Sequence, residues 1–255
     1  MIAALILLSA VMAFAWVMQW RTASASWVDM CWTYGVGLAC VVIALVDLSP
    51  HRMLLASIIA IWSLRLGTAI ALRSYKAPED PRYAKFRRQW VKHFQIKMFL
   101  FLQLQALVAW PLLFGFRAAA GAGTGFGARD VVGAIIAVIA IAGETTADAQ
   151  LRQFRASRKH SVCDAGLWSW SRHPNYFFEF LLWCALPCFA APAIVPMLIA
   201  CAAPLTIYLL LAFVSGIPPL EAHMLATRGD SFRAYQARTS SFFPWPPKKP
   251  LEPQL

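Results

Sequence analysis

Seven apolar runs govern what this chain can fold into. They cover about residues 1–20, 26–47, 53–73, 95–116, 130–147, 175–192 and 194–214, and each is roughly 18 to 25 residues long, enough for a helix to cross the hydrocarbon core of a bilayer. A backbone in lipid has no water to satisfy its N–H and C=O groups, so such runs become helices. The sequence therefore predicts an all-α integral membrane protein, a single domain over 1–255 with about seven transmembrane helices. The first run lacks a basic n-region and a small-residue cleavage site, and is expected to be a retained span.

Composition excludes the main competing classes. With 60% hydrophobic and 14% charged residues and a mean hydropathy of +0.58, the chain is too apolar for an ordinary soluble domain. Its six cysteines form no CxxC pair and five lie in apolar runs, which indicates neither a disulfide framework nor a metal site. The net charge of +11 suggests nucleic acid only at first sight, because the basic residues fall in short clusters between apolar runs. Topology accounts for them better. Nineteen of the 23 Lys and Arg follow runs 1, 3, 5 and 7, three follow runs 2, 4 and 6, and Arg65 lies inside run 3. By the positive-inside rule this places the N-terminus outside and the C-terminus in the cytoplasm, so the larger polar segments are expected to be cytoplasmic loops. The Gly/Ala stretch "AAAGAGTGFG", 118–127, reads as a linker.

Ionisable groups at membrane depth are costly, and each is a functional candidate unless it reaches the interface. Asp29 sits about one turn into the second run; its alternative is an interfacial carboxylate facing water. Arg65 lies mid-span with Arg73 eight residues on, a little over two turns later on one helical face. It is expected to line a polar cavity or to pair with Glu144 or Glu179. "APEDPRYAKFRRQW", Ala77 to Trp90, interleaves basic and aromatic residues. It fits an amphipathic helix held by anionic lipid or a phosphate-binding rim.

Two further constellations stand out. Glu144, Asp148, Arg152 and Arg155 recur at helical spacing on one face, either as a solvated ladder or as a site for ribose hydroxyls and phosphate. In "GLWSWSRHPNYFFEF", Pro174 suits the first turn of a helix, which makes Asn175 and Glu179 neighbours at i, i+4. Arg172 and His173 stand beside the positive end of that helix, where an anion is favoured; His173 alone fits an interfacial residue equally well. The tail from Pro218 is expected on the membrane surface.

"EDPRYAKFRRQW", "ADAQLRQFRASRK", "GLWSWSRHPNYFFEF" and "EAHMLATRGDSFRAYQARTSSFFPWPP" together resemble the bacterial membrane proteins related to steroid 5-alpha-reductases. The "RHPNY" element alone is also similar to sterol C14-type reductases and isoprenylcysteine carboxyl methyltransferases. The resemblance implies a seven-helix fold whose cytoplasmic loops bind NADPH, and reduction of a carbon–carbon double bond conjugated to a ketone in a lipophilic substrate such as a 3-oxo-Δ4 steroid. It implies a bacterial inner-membrane setting.

It also implies cofactor contacts at Asp148, Arg152, Arg155, Asn175 and Glu179 and, from the segment after run 3, at Arg73 and its neighbours; Arg65 within run 3, and Arg172 and His173 beside Asn175, are further candidates for the cofactor. For the substrate carbonyl it implies a carboxylate–tyrosine pair, with Asp29 as the carboxylate. Trp62 falls where the tyrosine is expected, leaving Tyr34 as the substitute. No metal and no nucleic acid are implied; membrane lipid and the lipophilic substrate are the expected partners. Two rivals remain: a methyltransferase using S-adenosylmethionine, with Glu221 as its acid, and a transporter or scaffold whose charges only set topology.

Overall fold

The computed structural model describes residues 1–75, 81–123, 126–157 and 161–248. Residues 76–80, the entry to the basic loop, lie outside the described residues, as do 124–125 of the Gly/Ala linker. Among the described residues the chain is almost wholly helical, with no strand beyond an isolated bridge between Ser171 and Ser240. Five helical stretches are long and apolar enough to cross a membrane: Ile2–Thr22, Pro50–Ser74, Phe94–Ala120, Ala128–Ser157 and Ile194–Arg228. The run at 26–47 yields the shorter Val28–Ala44, and the run at 175–192 is broken into two helices.

The chain divides into two compact units. The first comprises Met1–Gly133 and Leu186–Thr206. It opens with α1 (Ile2–Thr22), α2 (Val28–Ala44) and α3 (Pro50–Ser74). Ser49 caps α3 by accepting from the Arg52 N–H, and Pro50 occupies the first turn, where no N–H is needed. Close approach of α2 to α3 depends on Gly37: a Cβ there would lie 2.2 Å from Ser63 Oγ, which itself donates to the Thr33 carbonyl. Lipid offers no hydrophobic drive between helices, so small residues that let backbones approach are the means of association.

The unit continues with α4 (Pro81–Gln89), α5 (Phe94–Val108) and α6 (Trp110–Ala120). α5 and α6 break at Ala109 because Pro111 lacks an N–H. α1 and α5 run antiparallel, with Ser9 bonded to Gln103 and the Trp16 indole to the Gln95 carbonyl. At the N-terminal end of α3, His51 is held between Asp130 Oδ1 at 2.7 Å and the Ala119 carbonyl at 2.8 Å. Large apolar side chains such as Ile6, Phe14, Ile61, Leu64 and Leu100 are exposed along these helices, a pattern that suits lipid and not water.

The second unit comprises Ala134–Ala185 and Ile207–Leu255. It contains most of α7 (Ala128–Ser157), then α8 (Leu167–Trp170) and α9 (Pro174–Cys184). The short α10 (Leu186–Phe189) returns to the first unit. α11 (Ile194–Leu209) tolerates Pro204 inside it and ends in a π-turn, Leu210–Val214. α12 (Ile217–Arg228) and α13 (Asp230–Arg238) follow.

The terminal segment is stitched down. Arg172 N–H donates to the Ser240 carbonyl at 2.8 Å and Trp245 N–H to the Trp170 carbonyl at 2.9 Å. Ser171 Oγ donates to the Phe242 carbonyl, and Phe242 and Phe243 nest among Phe177, Phe180 and Tyr208. The sequence predicts a tail lying on the membrane surface, and the structure bonds that tail to the "SWSRHPNY" entrance.

Candidate functional site

Polar constellations lie in both units. In the first, Asp29 stands in the first turn of α2 and accepts at both oxygens. Arg82 Nη2 reaches Oδ2 in an ion pair, and the Tyr83 hydroxyl donates to Oδ1 at 3.1 Å. Both partners come from consecutive positions of α4. The Tyr83 side chain is buried, edge-on to Phe86 and Phe101, with Gln105 Nε2 at 3.5 Å from its oxygen, the long limit of a hydrogen bond. Burial, and after it the Asp29 charge, push the Tyr83 phenol well above its ordinary value. At neutral pH it is therefore an uncharged O–H donor beside a carboxylate.

Tyr34 is placed elsewhere. Its hydroxyl shares a hydrogen bond with Thr68 Oγ1 at 2.9 Å, and its ring lies over Gly67, where a Cβ would sit 2.5 Å from Cε1. It does not meet Asp29, and Trp62 is fully buried in α3. The tyrosine beside Asp29 is thus Tyr83, which sequence reasoning had assigned to a lipid- or phosphate-facing loop. Arg65 is half-buried in α3 and Arg73 exposed in its last turn, where a cation complements the helix dipole.

In the second unit, α7 orders Glu144, Asp148, Arg152 and Arg155 from a buried position outward to exposed ones. Asn175 and Glu179 are one turn apart on α9, whose first turn is set by Pro174, as the sequence predicted. Glu179 is buried and accepts from the Trp183 indole N–H at 2.9 Å. Among the described residues Asn175 and Arg152 make no side-chain hydrogen bond or ion pair. α7 and α9 approach closely because residue 143 is glycine: a Cβ there would come within 2.3 Å of the Phe178 ring. Gly166, at φ +62, opens α8 under the Gln150 amide, which accepts from the Leu167 N–H.

Arg172 and His173 meet at Glu221. Arg172 Nε and Nη2 donate to the two oxygens of Glu221 at 2.7 and 3.3 Å, while Nη1 donates to the Gln236 and Thr239 carbonyls. His173 Nε2 meets Glu221 Oε1 at 3.0 Å, and Gln236 Nε2 meets Oε2 at 2.7 Å. Every guanidinium nitrogen of Arg172 thus has an internal acceptor. Burial lowers the His173 pKa, against the opposing pull of Glu221, and the ring is a neutral imidazole donating through Nε2 and stacked on Tyr176. The group ties the residues before α9 to α12 and α13.

A family profile described as a protein of unknown function (DUF1295) matches residues 15–239. An uncharacterized protein of the fission yeast Schizosaccharomyces pombe, C594.04c, is 27% identical over 228 residues, covering 77% of this chain and 64% of that protein. The chain therefore spans less than two-thirds of that relative's length. No solved structure matches significantly.

Proposed function

The chain belongs to the DUF1295 family, and from that premise we propose that it is a membrane reductase that uses NADPH to saturate the double bond of a lipophilic enone. The resemblance of its four motifs to steroid 5-alpha-reductases motivates the reading. The observation that carries it is the Asp29–Tyr83 pair, a neutral phenol held against a carboxylate at the end of an apolar helix bundle. The substrate class is a 3-oxo-Δ4 steroid or a related isoprenoid enone, and the C-terminus is assigned to the cytoplasm of a bacterial inner membrane.

The residues fit a phosphate-bearing dinucleotide on one point in particular. Asn175 and Arg152 have no internal partner among the described residues, in contrast to Arg172. We assign cofactor binding to Asp148, Arg152, Arg155, Asn175 and Glu179, all on α7 and α9. NADPH, when bound, supplies a hydride to the β-carbon of the enone. The protein's own task is to stabilise the negative charge that then appears on the carbonyl oxygen, because a donor aimed there favours the transition state over the ground state. Tyr83 is the assigned donor. Asp29 accepts the Tyr83 O–H until the substrate carbonyl oxygen replaces it as acceptor, and Arg82 keeps Asp29 compensated meanwhile. A proton taken up from water at the α-carbon of the enolate completes the saturation.

The methyltransferase reading loses its acid, since Glu221 is already engaged by Arg172, His173 and Gln236. The deciding experiment is a binding screen of NADPH, NADH and S-adenosylmethionine on purified protein, followed by NADPH oxidation with a panel of enones. Tight binding of S-adenosylmethionine with none of NADPH would sink the reductase proposal.

A further inference from the structure

From residue 81 to 97 the sequence carries six Lys or Arg and no carboxylate, and the structure divides these cations between two sides of α4. Tyr83 is buried, Arg82 pairs with Asp29, and Arg87 turns inward to donate to the Ala23 carbonyl at 2.7 Å with its guanidinium over the Phe94 ring. Phe86 joins them, stacked on Trp90 at 4.5 Å with parallel rings. At 100° per residue, Lys85 and Arg88 project from the opposite side of the helix. Both are exposed, as are Gln89, Val91 and Lys92 after them. α4 lies between the end of α3 and the start of α5, two spans whose facing ends meet the same bilayer surface.

We propose that the outer side of α4, formed by Lys85 and Arg88, together with the exposed Lys92 in the turn that follows, docks on the anionic phospholipid headgroups of that leaflet. Charge complementarity selects this occupant. The patch holds only cations, and Val91, 81% exposed, gives it an apolar residue at the depth where headgroups meet acyl chains. Each basic residue close to an anionic surface contributes roughly a fivefold preference. Because α4 presents Tyr83 and Arg82 to Asp29 from its inner side, lipid charge also steadies that pair. Lipid docking does not depend on the reductase reading.

The test uses full-length protein in nanodiscs of phosphatidylcholine, alone or with phosphatidylglycerol. Wild type is expected to show a higher thermal midpoint in the anionic discs and to retain phosphatidylglycerol selectively when extracted. The triple variant Lys85→Gln/Arg88→Gln/Lys92→Gln should match wild type in neutral discs, since these side chains are exposed, yet lose the anionic increment and on the order of 100-fold in lipid selectivity. Added salt should erode the wild-type preference. Equal midpoints for wild type in the two lipids overturn the proposal, and so does a triple variant that keeps the increment. Stabilisation by inorganic phosphate in neutral discs to the same extent overturns it in favour of a discrete phosphate site.

Discussion

The phenolic hydroxyl of Tyr83 donates to Asp29 across a sequence separation of 54 residues, and under the proposed reductase reading this contact assigns the carbonyl donor to Tyr83. With Arg82 on the other carboxylate oxygen, Asp29 is arranged as an acceptor, and the proton to be donated belongs to Tyr83.

Tyr83→Phe should therefore lower enone-dependent NADPH oxidation by roughly 100- to 1,000-fold, the usual effect of deleting one donor to a developing oxyanion. NADPH affinity should stay within about twofold, because Tyr83 is not among the proposed cofactor residues. A variant with unchanged turnover removes Tyr83 from the chemistry. Tyr34→Phe is the control; its hydroxyl serves Thr68, and it should keep wild-type turnover.

Glu179 has an observed bond to Trp183 and a proposed role toward the cofactor, which a single substitution separates. Alanine would strip the Trp183 indole of its acceptor and destabilise α9, whereas Glu179→Gln keeps an amide oxygen in place and removes only the charge. Glu179→Gln and Asn175→Ala should fold with near-native thermal midpoints and lose the increment that NADPH confers. For wild type that increment is about 2.7 kcal/mol at a ligand concentration 100 times Kd. A full NADPH increment in both variants would show that neither side chain binds the cofactor.

What was legible in the sequence was local. Pro174 fixes the start of α9 and the i, i+4 spacing puts Asn175 beside Glu179 without any knowledge of the rest of the fold. Apolar run length gave the helices, and it failed where proline interrupts them. Pro111 divides the fourth run at Ala109, and the sixth run breaks at Ala185 just before Pro187. The pairs that needed the third dimension were hidden. No periodicity links Asp29 with Tyr83, or Arg172 with Glu221 across 49 residues. An arginine at the mouth of a helix looks the same in sequence whether it awaits a phosphate or already holds a carboxylate.

The His173 imidazole gives the protein an acid-sensitive point. Burial lowers its pKa below the ordinary 6.5 despite Glu221, so at pH values below 6.5 the unfolded chain takes up a proton that the folded chain refuses. Stability then rises with pH through that window, is fully present above 6.5, and is lost as pH falls. The groups facing the ring are Glu221, Arg172 and Tyr176. His173→Gln keeps an N–H for Glu221 and cannot titrate, so its thermal midpoint between about pH 7 and pH 5 should change less than that of wild type. Parallel profiles would assign the acid sensitivity to other groups.

Gly143 offers the most direct check on how α7 and α9 meet. A Cβ at that position would fall 2.3 Å from Phe178 Cε1, with two further ring atoms within 2.5 Å, so the ring or the helix has to move. Gly143→Ala raises intrinsic helix propensity by roughly 1 kcal/mol, and on an unpacked helix face it would stabilise. Here overpacking at about 1–3 kcal/mol opposes that gain, so the thermal midpoint in detergent should fall. Shortening the opposing ring tests the cause: Phe178→Ala alone leaves a cavity and destabilises, but combined with Gly143→Ala it should cost less than the two separate losses added together. Such non-additivity is the signature of residues in contact. Strictly additive losses would mean that α7 and α9 do not pack through this pair, and the register that places Asn175 and Glu179 relative to the α7 charges would have to be redrawn.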